Sequence, residues 1–364
     1  MAAAAAPPGG TSQPSSGTRS PISPFDMHAA MREHTAYNVL CAPPFESMAK
    51  RLEDLHPHRF AYRPTTWKKF SDSNMDNIEL GGYTPVNRIR RSNVLFFASF
   101  HDNDAILSQF QALVCLCESF VQSLTIVLPY YPVGTMERVT KEGVVATANT
   151  IACMLSSLPP VGPPIRIMIY DIHTLQNRFY FKGHALAETW TAIPVVLDRV
   201  KAFLPGALEE DGEPPTRNPD SLVDAVAFPD EGAKKRFGSF FKGFPLILCG
   251  KVRRGDKRTI TLFEGDCEGK RILIIDDMVR SGGTICEAAK VMRAAGAKSI
   301  SAYCTHAAGQ VSALQKFLKG GDKSGIFENF WITNTNPTVT DQLPTDDVFE
   351  VLDITSQVIK DLGW

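Results

Sequence analysis

The sequence predicts an α/β protein with two domains, each a mostly parallel sheet flanked by helices. Three observations lead there. Short continuous runs of Ile, Val, Leu and Phe recur in both halves, separated by stretches of helical spacing. Strands of a parallel sheet need such runs because both of their faces are covered. A chain of 364 residues has room for roughly two domains. Its 44% apolar and 21% charged residues can fill two cores and still solvate a surface.

In chain order, the strand candidates are 93–100 (NVLFFASF), 124–130 (LTIVLPY), 165–172 (IRIMIYDI), 223–228 (VDAVAF), 244–249 (FPLILC), 271–275 (RILII), 299–304 (SISAYC) and 329–333 (NFWIT). The halves join near 182–190. The chain therefore divides into a first domain over 27–184, a second over 185–349 and a closing segment over 350–364 with a helix at 355–363. The acidic, proline-rich stretch 206–219 reads as a surface loop inside the second half.

Residues 1–26 are dominated by Ala, Pro, Gly and Ser, which cannot bury enough surface to offset chain entropy, so a disordered tail is expected. The tail lacks the apolar stretch of a secretory signal. It also lacks acids before Asp26, as organellar transit peptides do, but Arg19 is its only base. That favours an untargeted tail on a cytoplasmic protein, with a transit peptide as the open alternative.

Composition excludes other classes. Lys plus Arg is 38 against 39 Asp plus Glu, a net charge of −1, whereas domains held to nucleic acid by bulk charge carry a basic excess. No window approaches about eighteen uninterrupted apolar residues, so no membrane-spanning helix is expected. The eight Cys form no CxxC pair and fall mostly in apolar stretches. They read as buried, reduced thiols of an intracellular protein.

The segment 271–295 (RILIIDDMVRSGGTICEAAKVMRAA) concentrates the chemistry. An apolar strand ends in adjacent carboxylates, Asp276 and Asp277. A loop over 278–284 follows, then a helix with apolar positions at Ile285, Ala288, Ala289 and Met292, which form one stripe. Gly296 supplies a stop. Gly282 and Gly283 let the backbone approach a ligand closely. Amides at a helix start carry the positive end of its dipole and favour phosphate, and Ser281 and Thr284 add hydroxyls.

Two acids beside such a pocket would repel phosphate unless they face a sugar diol or a divalent cation. The composite reads as a sugar-phosphate site at the carboxyl end of a sheet. An ordinary capped turn accounts for the glycines and hydroxyls but not for the paired acids. The chain contains no G-x-x-x-x-G-K-S/T and no G-x-G-x-x-G after a strand.

With those residues in view, 274–284 (IIDDMVRSGGT) resembles the phosphoribosyl pyrophosphate signature. Phosphoribosyltransferases share it with the phosphoribosyl pyrophosphate synthetases, or ribose-phosphate diphosphokinases. About 300 residues resemble the two-domain synthetase, through 127–132 (VLPYYP), 170–173 (YDIH), 228–234 (FPDEGAK), 251–253 (KVR), 305–306 (TH) and 333–337 (TNTNP). The resemblance implies two phosphoribosyltransferase-like, Rossmann-like domains.

It also implies roles. The activity would be diphosphoryl transfer from ATP to ribose 5-phosphate, giving phosphoribosyl pyrophosphate and AMP. Asp276 and Asp277 would hold the ribose hydroxyls, while Arg280, Ser281, Gly282, Gly283 and Thr284 line the 5-phosphate pocket. His173 and Asp230 would be positions for Mg²⁺, against the plainer reading of a strand-end His in the core. Lys251 and Arg253 would belong to a mobile catalytic loop, although composition alone reads the basic run 251–258 as a solvated hairpin. In 67–74 (WKKFSDSN), Phe70 would stack on adenine with Asp72 and Asn74 nearby; a shielded core Phe is the alternative. The adenine site would form partly at a subunit contact of a homo-oligomer.

Two departures stand out. At 133–138 the chain reads VGTMER, where common bacterial and animal synthetases carry Arg-Gln-Asp; this resembles the plant-type, class II branch. Arg280 stands where many synthetases place a carboxylate, and it could strengthen anion binding or pair with Asp276. The competing readings are a phosphoribosyltransferase that needs no ATP, and a non-catalytic regulatory subunit.

Overall fold

The computed structural model describes residues 36–201, 222–254 and 257–363, and the side chains of all of these except 201 and 251–259. The expected tail over 1–26, the start of the expected first domain over 27–35, and the loop at 206–219 lie outside the described residues.

The first half runs β1 (Tyr37–Cys41), α1 (Glu46–Leu55), β2 (Phe60–Tyr62), β3 (Thr66–Lys69), β4 (Asp76–Glu79), β5 (Asn93–Phe97), α2 (Asn103–Glu118), β6 (Ser123–Val127), α3 (Thr147–Ser156), β7 (Ile165–Tyr170) and β8 (Ala185–Trp190), with α4 (Ile193–Lys201) beyond it. Among the described residues its sheet has the order β2-β1-β5-β6-β7-β8, all pairs parallel. Val94, Leu95, Phe96 and Phe97 of β5 are buried in succession, because helices cover both faces. α2 starts where Asp102 accepts a hydrogen bond from the Ala105 amide at 2.7 Å. Its buried Ile106, Phe110, Leu113 and Cys117 fall at helical spacing. β3 and β4 form a separate antiparallel hairpin.

The second half runs β9 (Ala225–Phe228), α5 (Glu231–Phe237), β10 (Leu246–Arg254), β11 (Lys257–Glu264), β12 (Arg271–Val279), α6 (Gly283–Ala294), β13 (Ser299–Ala307), β14 (Phe330–Thr333), β15 (Phe349–Leu352) and α7 (Thr355–Asp361). The sheet order is β11-β10-β9-β12-β13-β14-β15, parallel except for the edge pair β10 and β11. Each sheet carries one hydrophobic cluster on either face.

The chain crosses between halves at other places than the sequence suggests. β8 pairs along its whole length with β7, so the first sheet runs to Trp190, beyond the expected boundary at 184. β15 completes the second sheet across the expected boundary at 349. The closing helix then returns to the first half. Val358, Ile359 and Leu362 are buried with Phe45, Met48 and Leu52, and Tyr170 donates to Asp361 at 2.8 Å. No helix among the described residues is long and apolar enough to cross a membrane.

Candidate active site

The acid pair lies inside β12 and not at its end, since pairing with β13 carries the strand on to Val279. Neighbouring strand residues face opposite ways, so the two carboxyls occupy different surroundings. Asp276 is half-buried, and its Oδ1 accepts from the Asp277 amide at 2.9 Å. Burial, then the charge of Asp277, push its carboxyl well above the usual range, and Asp230 adds to the effect. Asp277 is 7% exposed. Burial would raise it too, but hydrogen bonding to His173 and the nearby Arg236 hold it below the ordinary value.

After Val279 the loop is shorter than expected, only 280–282, and α6 starts at Gly283. Gly282 turns the chain at φ +69°. A Cβ there would lie 2.3 Å from the Phe317 ring, so both conformation and space require glycine. The first amides of α6 have no partner within the helix, and Ser281 and Thr284 flank them. Ile285, Ala288, Ala289 and Met292 are buried as the spacing predicts. Arg280 is exposed and makes no ion pair with Asp276 among the described residues.

The two halves meet directly at this strand. His173, two residues after Asp171 at the end of β7, places Nδ1 2.6 Å from Oδ2 of Asp277. That bond raises the imidazole above its ordinary value against partial burial. Arg236, in the last turn of α5, donates to the Ile172 carbonyl and lies 3.6 Å from Asp171 and 3.9 Å from Asp277. Asp171 is buried at φ +36°, a costly conformation for a residue with a side chain. Its Oδ2 accepts from Thr305 Oγ1 at 2.6 Å and from the Ala192 amide at 3.0 Å, which holds it there. His306 bonds Thr335 and the Tyr170 carbonyl and packs against the Tyr130 ring at 4.8 Å.

The phosphoribosyl transferase domain family matches residues 248–334, the span that holds β12, the loop and α6. Ribose-phosphate pyrophosphokinase 4 of Oryza sativa subsp. japonica is 38% identical over 80% of this chain and 85% of its own length. Ribose-phosphate pyrophosphokinase 4 of Arabidopsis thaliana is 35% identical over 89% and 90%. The chain belongs to the ribose-phosphate pyrophosphokinases. Relatives named as chloroplastic and mitochondrial forms occur in Arabidopsis thaliana and Spinacia oleracea. In fold, the chain matches phosphoribosylpyrophosphate synthetase from Mycobacterium smegmatis with TM-score 0.67 at 21% identity, covering 90% of this chain and 98% of that one.

The structure brings His173 and Asp277 together, and Asp230 lies near enough to Asp276 to raise it. Asp230 also caps α5, its Oδ1 accepting from the Ala233 amide at 3.0 Å. The backbones carrying Lys251 and Arg253 pair with those of Ile260 and Arg258 in the edge hairpin; their side chains lie outside the description. Phe70, Asp72 and Asn74 sit at the tip between β3 and β4. Phe70 is 51% exposed, so it is not a core residue. No hydrogen bond or ion pair among the described residues joins that tip to the acid pair.

The donors around His173 suit Mg²⁺ that arrives with phosphates. The Asp277 carboxylate engages Nδ1, so Nε2 is the ring nitrogen that could serve as a ligand. No group of three or more His, Cys, Asp or Glu that could hold a metal occurs among the described residues. Mg²⁺ takes few protein ligands and completes its shell with water and substrate oxygens, so that sparse set fits.

Sequence reasoning passed over Asp171, Arg236 and His306 as site residues. Arg236 closes a Lys-Lys-Arg run that reads as a solvated helix end. The one available signal was its place on α5, six residues after Asp230.

Proposed function

We infer that the chain transfers the diphosphoryl group of Mg-ATP to O1 of ribose 5-phosphate, giving phosphoribosyl pyrophosphate and AMP for nucleotide biosynthesis. One observation carries this reading beyond the family: His173 of the first half is hydrogen-bonded to Asp277 of the second. The sugar-phosphate loop therefore works as half of a site. A phosphoribosyltransferase could act with the loop's own domain alone and would have no use for that contact.

In this reading the 5-phosphate rests on the amides and hydroxyls of 281–284, where the α6 dipole favours a dianion. Asp276 and Asp277 accept from the ribose 2- and 3-hydroxyls. O1 is then held for in-line attack on the β-phosphorus. Positioning of this kind supplies roughly 7–11 kcal/mol in favourable cases. His173 Nε2 and Asp230 would hold Mg²⁺, which neutralises phosphate charge when bound with the nucleotide. Lys251 and Arg253 meet the charge that spreads over the phosphoryl oxygens and the departing AMP. Phe70, Asp72 and Asn74 take the adenine. The exposure of Phe70 supports completion of that site by a second copy, hence a homo-oligomer.

Mass detection of AMP and phosphoribosyl pyrophosphate from ATP plus ribose 5-phosphate tests the reaction, with and without added inorganic phosphate. Failure to form either product overturns it. Lys251→Ala should lower turnover greatly while leaving the fold intact, and unchanged turnover would remove Lys251 from the mechanism. Light scattering that finds an active monomer would sink the shared adenine site.

A further inference from the structure

We propose that Lys323 is a further ligand of the sugar's 5-phosphate, supplied by a separate loop that folds back onto the phosphate cradle. The proposal rests on the reading of 281–284 as that cradle.

The backbone fixes where this lysine goes. Past β13 the chain makes a helical turn over Gln315–Phe317 and then doubles back. The Lys323 amide donates to the Lys316 carbonyl at 2.8 Å, Gly321 to Leu318 at 2.9 Å and Ser324 to Gly321 at 3.0 Å. A Cβ on Gly321 would lie 2.4 Å from the Lys316 oxygen, so the reversal needs glycine there. This turn carries the Lys323 side chain to the cradle, where Nζ donates to the Ser281 carbonyl at 2.6 Å.

The ammonium also sits 5.0 Å above the Phe317 ring. That ring is locked among Phe327, Phe330 and Phe349, and it is the ring that forbids a side chain at Gly282. Loop, ring and lysine therefore pack as one assembly on the hydrophobic core of the second sheet. The positive charge reaches the Cys286 thiol in the first turn of α6, where it opposes the upward push of burial. Lys323 is half-buried and has no carboxylate within ion-pair distance among the described residues.

An ammonium has three donors, and Ser281 uses one. A cation without a counter-ion among the described residues, held at the Ser281 carbonyl just ahead of a helix whose first amides have no partner within it, is matched by a phosphate monoester dianion. A lysine that served only to tether the loop would need its hydrogen bond and not its charge.

The test compares wild type, Lys323→Met, Lys323→Gln and Lys323→Arg in the full chain, by calorimetric titration with ribose 5-phosphate and by steady-state KM for each substrate. Gln can still donate to the Ser281 carbonyl, so it separates tether from charge. The expected result is a loss of about tenfold or more in ribose 5-phosphate affinity for Met and Gln alike. ATP KM and melting temperature should stay unchanged, and Arg should retain most of the affinity. Near wild-type affinity in Lys323→Gln overturns the proposal, as does an early-melting Met variant whose affinity Gln restores. If wild type binds the sugar phosphate but forms no product, the enzymatic reading fails while the titrations still judge Lys323. A wild type that does not bind it overturns both.

Discussion

At the residue scale, the decisive pair is His173 and Asp277. One is a strand-end imidazole of the first half and the other an acid of the second, and a carboxylate on Nδ1 fixes which nitrogen is free to ligate. Asp277→Asn removes the charge that orients and raises this imidazole while keeping the side chain's shape. The expected outcome is a fall of roughly 10–100-fold in kcat/KM for ribose 5-phosphate, measured by steady-state kinetics, with the melting temperature little changed. Both residues stood out in the sequence, because each follows an apolar run, His173 two residues after Asp171 and Asp277 directly after Asp276. Arg236 did not, since nothing local distinguishes a buried bridging arginine from the solvated lysines next to it. Its bond to the Ile172 carbonyl and its approach to Asp171 span the two halves, and a local pattern carries no information about such partners.

At the element scale, the strand–loop–helix unit β12–α6 is the part that the sequence describes best. The apolar run, the glycines and the helical stripe all agree on it. The structure shortens the loop to 280–282 because β13 continues to pair through the acids. Gly282→Ala should weaken ribose 5-phosphate binding and cost roughly 1–3 kcal/mol of local strain, read as a raised KM and a lowered denaturation midpoint.

The β3–β4 hairpin was not foreseen as strands, because its residues are polar, short in run and mostly exposed. At the β7–β8 edge, Arg166 pairs with Glu188 through two bonds of 2.7 and 2.8 Å. Burial would raise Glu188, yet Arg166 holds it below its ordinary value. A depressed acid contributes stability above its unfolded value, about 4.3, and loses it as pH falls through the folded value. The stability gap between wild type and Glu188→Gln should therefore narrow on acidification below about pH 4.3. Denaturation midpoints across that range check this, and a gap independent of pH would count against it.

At the scale of the whole molecule, the C-terminal helix fastens the chain to the half it left. Leu362 is 5% exposed, in the core shared with α1. Leu362→Ala should cost about 2–5 kcal/mol, and hydrogen exchange should accelerate in α1 and β1 first.

The sequence by itself determined the fold class and the strand–loop–helix unit with its adjacent acids, because these rest on periodicity and on residue types adjacent in the chain. Only the tertiary structure decided that β8 and the last helix belong to the first half, that Arg236 and Asp171 bridge the halves, and that Lys323 reaches the Ser281 carbonyl. Those outcomes depend on which distant surfaces bury each other and on which charges are left to face one another, and no local spacing encodes either.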